Sequence, residues 1–254
     1  MTKLKAFATH LGISLVIFFA ILAFILYFWY PQPFFASDGG WQGIRIIAAV
    51  DLVLGPVLTL IVFKPGKPRL KLDLTIIGLV QAAALGWGIW VVHFERPIAA
   101  VFLDDTFHTV TANDMKSRGM TQEQLQTFGD RTPVWIYSKL PDSPNEVEEL
   151  LKNAMQSSRP IHYFIEFYKP LNEETESLLR TKSFDLAEWV KDKPKDKQAY
   201  EDFMKSHDSE KDDILFYHWN ARYGVSFIAL RKSDLSYIAT LDITSPKTGK
   251  KASS

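Results

Sequence analysis

Residues 11–30 read LGISLVIFFAILAFILYFWY, a run without a charge in which Ser14 is the one polar interruption. At about 1.5 Å per residue, an α-helix of that length crosses a hydrocarbon layer of about 30 Å. Lys3 and Lys5 precede the run, as in a secretory leader. The run is longer than a leader's apolar core and ends in Tyr27, Phe28, Trp29 and Tyr30, so it reads as a retained membrane span. Amphipathic rings suit the membrane–water interface, and Pro31-Gln32-Pro33 then ends the helix.

Two further runs of spanning length follow: 44–63, IRIIAAVDLVLGPVLTLIVF, and 74–94, LTIIGLVQAAALGWGIWVVHF. The whole-chain balance of 29 basic and 29 acidic residues hides this division. Residues 1–94 hold only seven Lys/Arg and three Asp/Glu, and the other 22 basic and 26 acidic residues lie in 95–254. The sequence therefore predicts a three-helix transmembrane domain, 1–94, and an outer α+β domain, 95–254. Lys64, Lys67, Arg69 and Lys71 lie in the loop 64–73, while the loop 31–43 carries no base. The positive-inside rule then places the N-terminus and the 64–73 loop in the cytoplasm and the outer domain on the far side, which in a cell with two membranes is the periplasm.

Polar and small residues inside the spans are the candidate binding positions. Asp51 lies seven residues inside Ile44, about 10 Å along the helix, too deep for a short carboxylate to reach the interface. It serves either a local polar neighbour or a partner. Gly55-Pro56 follows on the same helix, and Pro56 has no N–H for the carbonyl of Leu52, so a kink or a rearranged turn is expected there. Gly78, Ala82 and Gly86 recur every fourth residue on the third span, with Gln81 beside them. Such a face lets another helix approach closely, whether the first or second span or a separate protein.

In the outer part, IAAVFLDDTFHTVTANDM after Pro97 predicts a hairpin turning at Asp104-Asp105. Thr121 and Gln124 have capping-box spacing for a short helix, and residues 132–139 read as a strand. Ser143, Pro144 and Glu146 mark a helix start, with Ser143 as the cap that satisfies free amides. Residues 160–170 are a strand candidate, 172–205 hold helical segments, and 191–197 read as a solvated connection. The runs 214–220, 225–231 and 237–243 predict an antiparallel meander, and the tail from Ser245 reads as frayed. The sheet is expected to be antiparallel.

No cysteine is present, which excludes disulfides, thiolate metal sites and Cys nucleophiles. Phosphate-cradling, dinucleotide-binding, zinc-hydrolase and serine-nucleophile motifs are missing. His93, His108, His162, His207 and His218 show no ligand spacing, and Asp104-Asp105 and Asp212-Asp213 fit solvated turns. No catalytic residue, metal or cofactor is expected. The neutral charge balance also argues against nucleic acid as a partner.

The run VDLVLGPVLTL from Val50 to Leu60, Asp73-Leu74 with LVQAAALG from Leu79 to Gly86, and Arg96-Pro97 followed by Val101-Phe102 resemble the type IV pilin accessory proteins. These are inner-membrane assembly factors encoded beside pilin genes. The resemblance is strongest over 44–114, including Asn113-Asp114, and weaker beyond. It implies a non-enzymatic factor that supports surface assembly of a cognate major pilin, alongside other inner-membrane pilus components and within the lipid bilayer. Before polymerisation such a pilin lies in the same membrane by an apolar helix, with its head outside. A partner would then use helix-packing positions, here Asp51, Gly55, Pro56, Gly78, Gln81, Ala82 and Gly86, and an outer domain that selects between heads. The alternative is a membrane-anchored periplasmic sensor or regulatory subunit acting through a partner protein.

Overall fold

The computed structural model describes residues 2–243; the expected frayed tail lies outside them. The chain divides into two compact units, Met1–Arg96 and Pro97–Ser254. In the first unit, three helices are long and apolar enough to cross a membrane: Lys3–Trp29, Gly40–Val62 and Leu70–Phe94.

The first span is α1 (Lys3–Phe24) running into a π-helical turn, Ile25–Trp29. It starts well before residue 11 because Thr2 caps it, its side chain accepting from the amide of Lys5 at 3.2 Å. A single turn, α2 (Phe34–Ser37), then precedes the second span. That span is assembled from α3 (Gly40–Ala48), a π-helical stretch, Ala49–Leu54, and α4 (Gly55–Val62). The rearrangement expected at Pro56 thus lies in the turn before it, where the missing proline amide leaves the α-helical ladder incomplete. The third span, α5 (Leu70–Phe94), is unbroken. Phe18, Ile25, Tyr30, Ile44, Ile47 and Val92 form the apolar centre of this unit, and the Tyr30 hydroxyl donates to the carbonyl of Val92 at 3.0 Å.

The second unit is built on a seven-stranded sheet. Its strands are β1 (Pro97–Leu103), β2 (Thr106–Thr111), β3 (Val134–Ser138), β4 (Tyr168–Pro170), β5 (Ile214–Ala221), β6 (Gly224–Arg231) and β7 (Tyr237–Leu241). The spatial order is β4-β3-β1-β2-β5-β6-β7. The β1–β2 hairpin and the β5–β6–β7 meander are antiparallel, as the sequence predicts. The sheet as a whole is mixed, because β1 pairs with β3, and β2 with β5, in parallel. Each parallel pair joins strands linked by a long connection that includes helix, and turn signals carry no information about such pairings.

Helices α6 (Ala112–Ser117), α7 (Pro144–Gln156), α8 (Glu173–Thr181), α9 (Leu186–Val190) and α10 (Pro194–Ser206) occupy those connections. Thr111 and Asp114 form the capping box that opens α6 directly after the hairpin. Thr121 and Gln124 make the expected box on the short 3-10 turn Gln122–Leu125. Ser143 occupies the cap position of α7, but its side chain makes no capping bond. The stretch 191–197 is only partly a connection, since α10 begins at Pro194 and the Lys193 ammonium lies 3.1 Å over the Trp189 ring.

Residues 160–170 are not one strand. They form two 3-10 turns, Ile161–Tyr163 and Ile165–Phe167, with only Tyr168–Pro170 in the sheet. Tyr163 and Tyr168 are both in the core beneath β1, and a strand would send residues five apart to opposite faces. The Tyr168 hydroxyl donates to the carbonyl of His162, and Arg159 to that of Tyr163, which fixes the tighter winding. On the other face of the sheet, Phe102, Phe107, Trp135, Tyr217 and Trp219 meet in a ring cluster with centroids 4.9 to 6.2 Å apart. Each such edge or offset contact adds about 0.5–1.5 kcal/mol beyond the area it removes from water.

Candidate functional site in the membrane helices

Asp51 sits in the π-helical stretch of the second span and is 2% exposed. Its Oδ1 accepts from the Ser14 hydroxyl of the first span at 3.1 Å and from Gln81 Nε2 of the third span at 2.6 Å. Gln81 Nε2 also reaches the Asp51 carbonyl at 3.2 Å. That carbonyl lies within the π-helical turn, where the regular ladder is disturbed and an outside donor can approach. The network continues from the other end of the same amide. Gln81 Oε1 lies 2.9 Å from His10 Nε2, and His10 Nδ1 lies 2.6 Å from the Thr59 hydroxyl. All three spans thus meet through one chain of polar groups: Ser14, Asp51, Gln81, His10 and Thr59.

Gly55 makes room for it. A Cβ at Gly55 would overlap the Gln81 carboxamide, so only glycine leaves space for the side chain that links the three helices. Pro56 is buried beside it. Asp51, Gly55 and Thr59 lie four residues apart on one stripe of the second span, and His10 and Ser14 lie four apart on the first. Asp51 Oδ2 is buried without a hydrogen-bond partner among the described residues.

The other expected positions point elsewhere. Gly78, Ala82 and Gly86 are exposed on the third span, and a Cβ at either glycine would meet nothing within 4 Å. The seven positions singled out from sequence therefore fall into two groups, an inward one of Asp51, Gly55, Pro56 and Gln81 and an outward one of Gly78, Ala82 and Gly86. Sequence reasoning missed His10 and Thr59 and took Ser14 only as an interruption. The signal was the four-residue spacing of polar side chains on the first two spans.

The outer domain carries one unusual titratable group. The ring of His162 stacks on His108 with centroids 4.4 Å apart and planes 7° apart. Burial first, then the neighbouring His108 and Arg118, pushes His162 down to about 3, so it is neutral near pH 7. Tyr163 beside it is pushed up to about 12 by burial and by Asp114, while Arg118 lies over its ring at 4.1 Å. These groups pack the loop before β4 onto the sheet. Among the described residues, no cluster of three or more His, Asp or Glu is arranged to hold a metal.

Residues 1–39 match the family described as fimbrial assembly protein FimB. The chain is 30% identical over 114 residues to the fimbrial assembly protein of serogroups C1 and C2 of Dichelobacter nodosus, a match that covers 44% of this chain and 86% of that protein. It is 31% identical over 114 residues to the serogroup E1 protein of the same organism, and 30% identical over 114 residues to the serogroup I protein. Each of these matches spans 44% of this chain and 44% of the relative, less than half its length. No solved structure matches.

Proposed function

Because this chain belongs to the fimbrial assembly protein family, we propose that it is a non-enzymatic factor in type IV pilus biogenesis that binds and stabilises its cognate major pilin in the inner membrane. The observation that carries the reading is the outward face of Gly78, Ala82 and Gly86. The first and second spans do not cover it, and only Val92 of the third span is buried. In lipid, helices associate through close backbone approach and polar contacts rather than through water exclusion, so an open small-residue face suits a second apolar helix such as that of a pilin.

In this reading the inward group supports the outward one. Asp51, Gly55, Pro56 and Gln81 hold the third span against the other two and so fix how its small-residue face is presented. The N-terminus and the loop between the second and third spans lie in the cytoplasm, and the α+β domain lies in the periplasm, where it selects the pilin head.

Replacing Gly78 or Gly86 with Leu tests the proposal. A Cβ at either position meets nothing within 4 Å among the described residues, so both variants should accumulate normally in the membrane while losing cross-linking to pilin and surface pili. Wild-type cross-linking and piliation in both would refute it.

A further inference from the structure

A cavity of about 310 Å³ opens near one end of the three spans, lined by Ala6, Thr9, His10, Ile13, Thr59, Phe63 and Leu74. All three spans contribute to its wall. The polar atoms of that wall are already paired: both ring nitrogens of His10 are engaged by Thr59 and Gln81, and the Thr9 hydroxyl donates to the Lys5 carbonyl at 2.9 Å. Each polar side chain of the wall thus already has a partner within the protein, and the rest of its side-chain surface is hydrocarbon.

The mouth has the opposite character. Lys5 adjoins Ala6 and lies one turn from Thr9, Lys64 follows Phe63, and Lys71 lies one turn before Leu74. One exposed lysine from the end of each span therefore lies within one helical turn of a wall residue, and none of the three ammonium groups has an ion-pair partner among the described residues. The only nearby carboxylate in sequence, Asp73, is held by Lys67 at 2.7 Å. Lys3 and Arg69 add to the same end.

We infer that this cavity is a binding site for an anionic phospholipid, with an acyl chain against His10, Ile13, Phe63 and Leu74 and the phosphate among Lys5, Lys64 and Lys71. A basic pocket between membrane helices is the arrangement that holds acidic headgroups, whereas a neutral lipid would use only the apolar wall. The occupied cavity ties the ends of the three spans together where the apolar centre of the unit does not reach, since that centre lies around Phe18, Ile25, Ile44 and Val92.

The full chain, purified in detergent and titrated with phosphatidylglycerol or phosphatidylcholine of the same acyl chains, tests this by native mass spectrometry. The wild type should retain one phosphatidylglycerol in preference to phosphatidylcholine. Changing Lys5, Lys64 and Lys71 together to Gln, all exposed, should weaken that retention on the order of 100-fold, at about five-fold per charge. Ala6→Phe and Thr9→Phe fill the cavity while leaving every lysine in place, and should also lose the retained lipid. Equal retention of the two lipids by the wild type would overturn the inference and give the cavity to a neutral chain or an apolar protein segment. Undiminished phosphatidylglycerol binding by the two Phe variants would overturn it by reducing the effect to general attraction by surface charge.

Discussion

Two glycines separated along the second and third spans should respond in opposite ways to enlargement. At Gly55 an added methyl overlaps the Gln81 carboxamide, which must move away from Asp51 and His10. Gly55→Ala therefore forfeits the links of Gln81 to Asp51 Oδ1, to the Asp51 carbonyl and to His10. Interhelical polar contacts in membranes average about 0.6 kcal/mol, so three lost contacts amount to about 2 kcal/mol. The overlapping carboxamide is the end of a flexible side chain, so its displacement relieves the overlap and the lost contacts are the main cost. A loss of about 2 kcal/mol lowers the folding equilibrium constant about 30-fold. Gly86→Leu adds a larger side chain to a position with nothing within 4 Å and should leave the isolated protein unchanged. Unfolding of the purified full chain by graded addition of denaturing detergent, followed by far-UV circular dichroism, separates the two. If Gly55→Ala unfolds with the wild type, or Gly86→Leu is as destabilised as Gly55→Ala, the assignment of inward and outward faces is wrong. Gln81→Leu provides an independent arm, because it removes the same contacts without touching the second span.

A periplasmic outer domain predicts an active alkaline phosphatase fused after Ser254 and an inactive one inserted within 64–73; the reverse pattern would invert the topology. Lowering pH should destabilise the outer domain through His162: its folded value near 3 lies below the ordinary 6.5, so the unfolded chain binds the extra proton, and the stabilisation present above pH 6.5 is lost progressively as pH falls toward 3. Between pH 6.5 and 5 that loss is about 2 kcal/mol, read from the tryptophan fluorescence of unfolding, and His162→Gln should flatten the dependence over that interval; an unchanged pH slope in the variant would remove His162 as its source.

The spans were legible because lipid allows few alternatives: a charge-free run of sufficient length has to be a helix. The disturbance before Pro56 was legible for a similar reason, as proline removes a donor wherever it stands. The fold of the outer domain was legible only where contacts are local. Its hairpin and meander follow from turn residues and alternation, but the parallel pairing of Ala99–Leu103 with Val134–Ser138 depends on a connection whose path no local signal encodes. Residues 160–170 misled because β-branched and aromatic content favours a strand, while burial of Tyr163 and Tyr168 on one side requires a tighter helix. For the candidate site, Asp51 and Gln81 stood out as polar residues in hydrocarbon. His10 escaped notice because it lies one residue before the apolar run begins, although the helix itself starts at Lys3.

The division between an inward polar chain and an outward small-residue face follows from the solvent. Apolar side chains gain little by leaving lipid for a helix interface, so apolar character alone does not decide which face of a span turns inward. Polar groups do decide it, because each one exposed to hydrocarbon would go unsatisfied. The third span has a single polar side chain in its middle, Gln81, and that residue bonds to both other spans. Its inward direction is thereby fixed, and with helical spacing the direction of every other residue on the span is fixed too. At about 100° per residue, Gly78, Ala82 and Gly86 fall about 60°, 100° and 140° to one side of Gln81, so their face flanks the inward direction and is exposed along its length. Moving the glutamine to position 82, by pairing Gln81→Ala with Ala82→Gln, should rotate the third span about its axis by about 100° to keep the Asp51 contact, at 3.6 residues per turn. Cysteine cross-linking between the second and third spans would report that rotation. A span that keeps its original face inward despite the exchange would show that shape, and not the polar chain, sets its orientation.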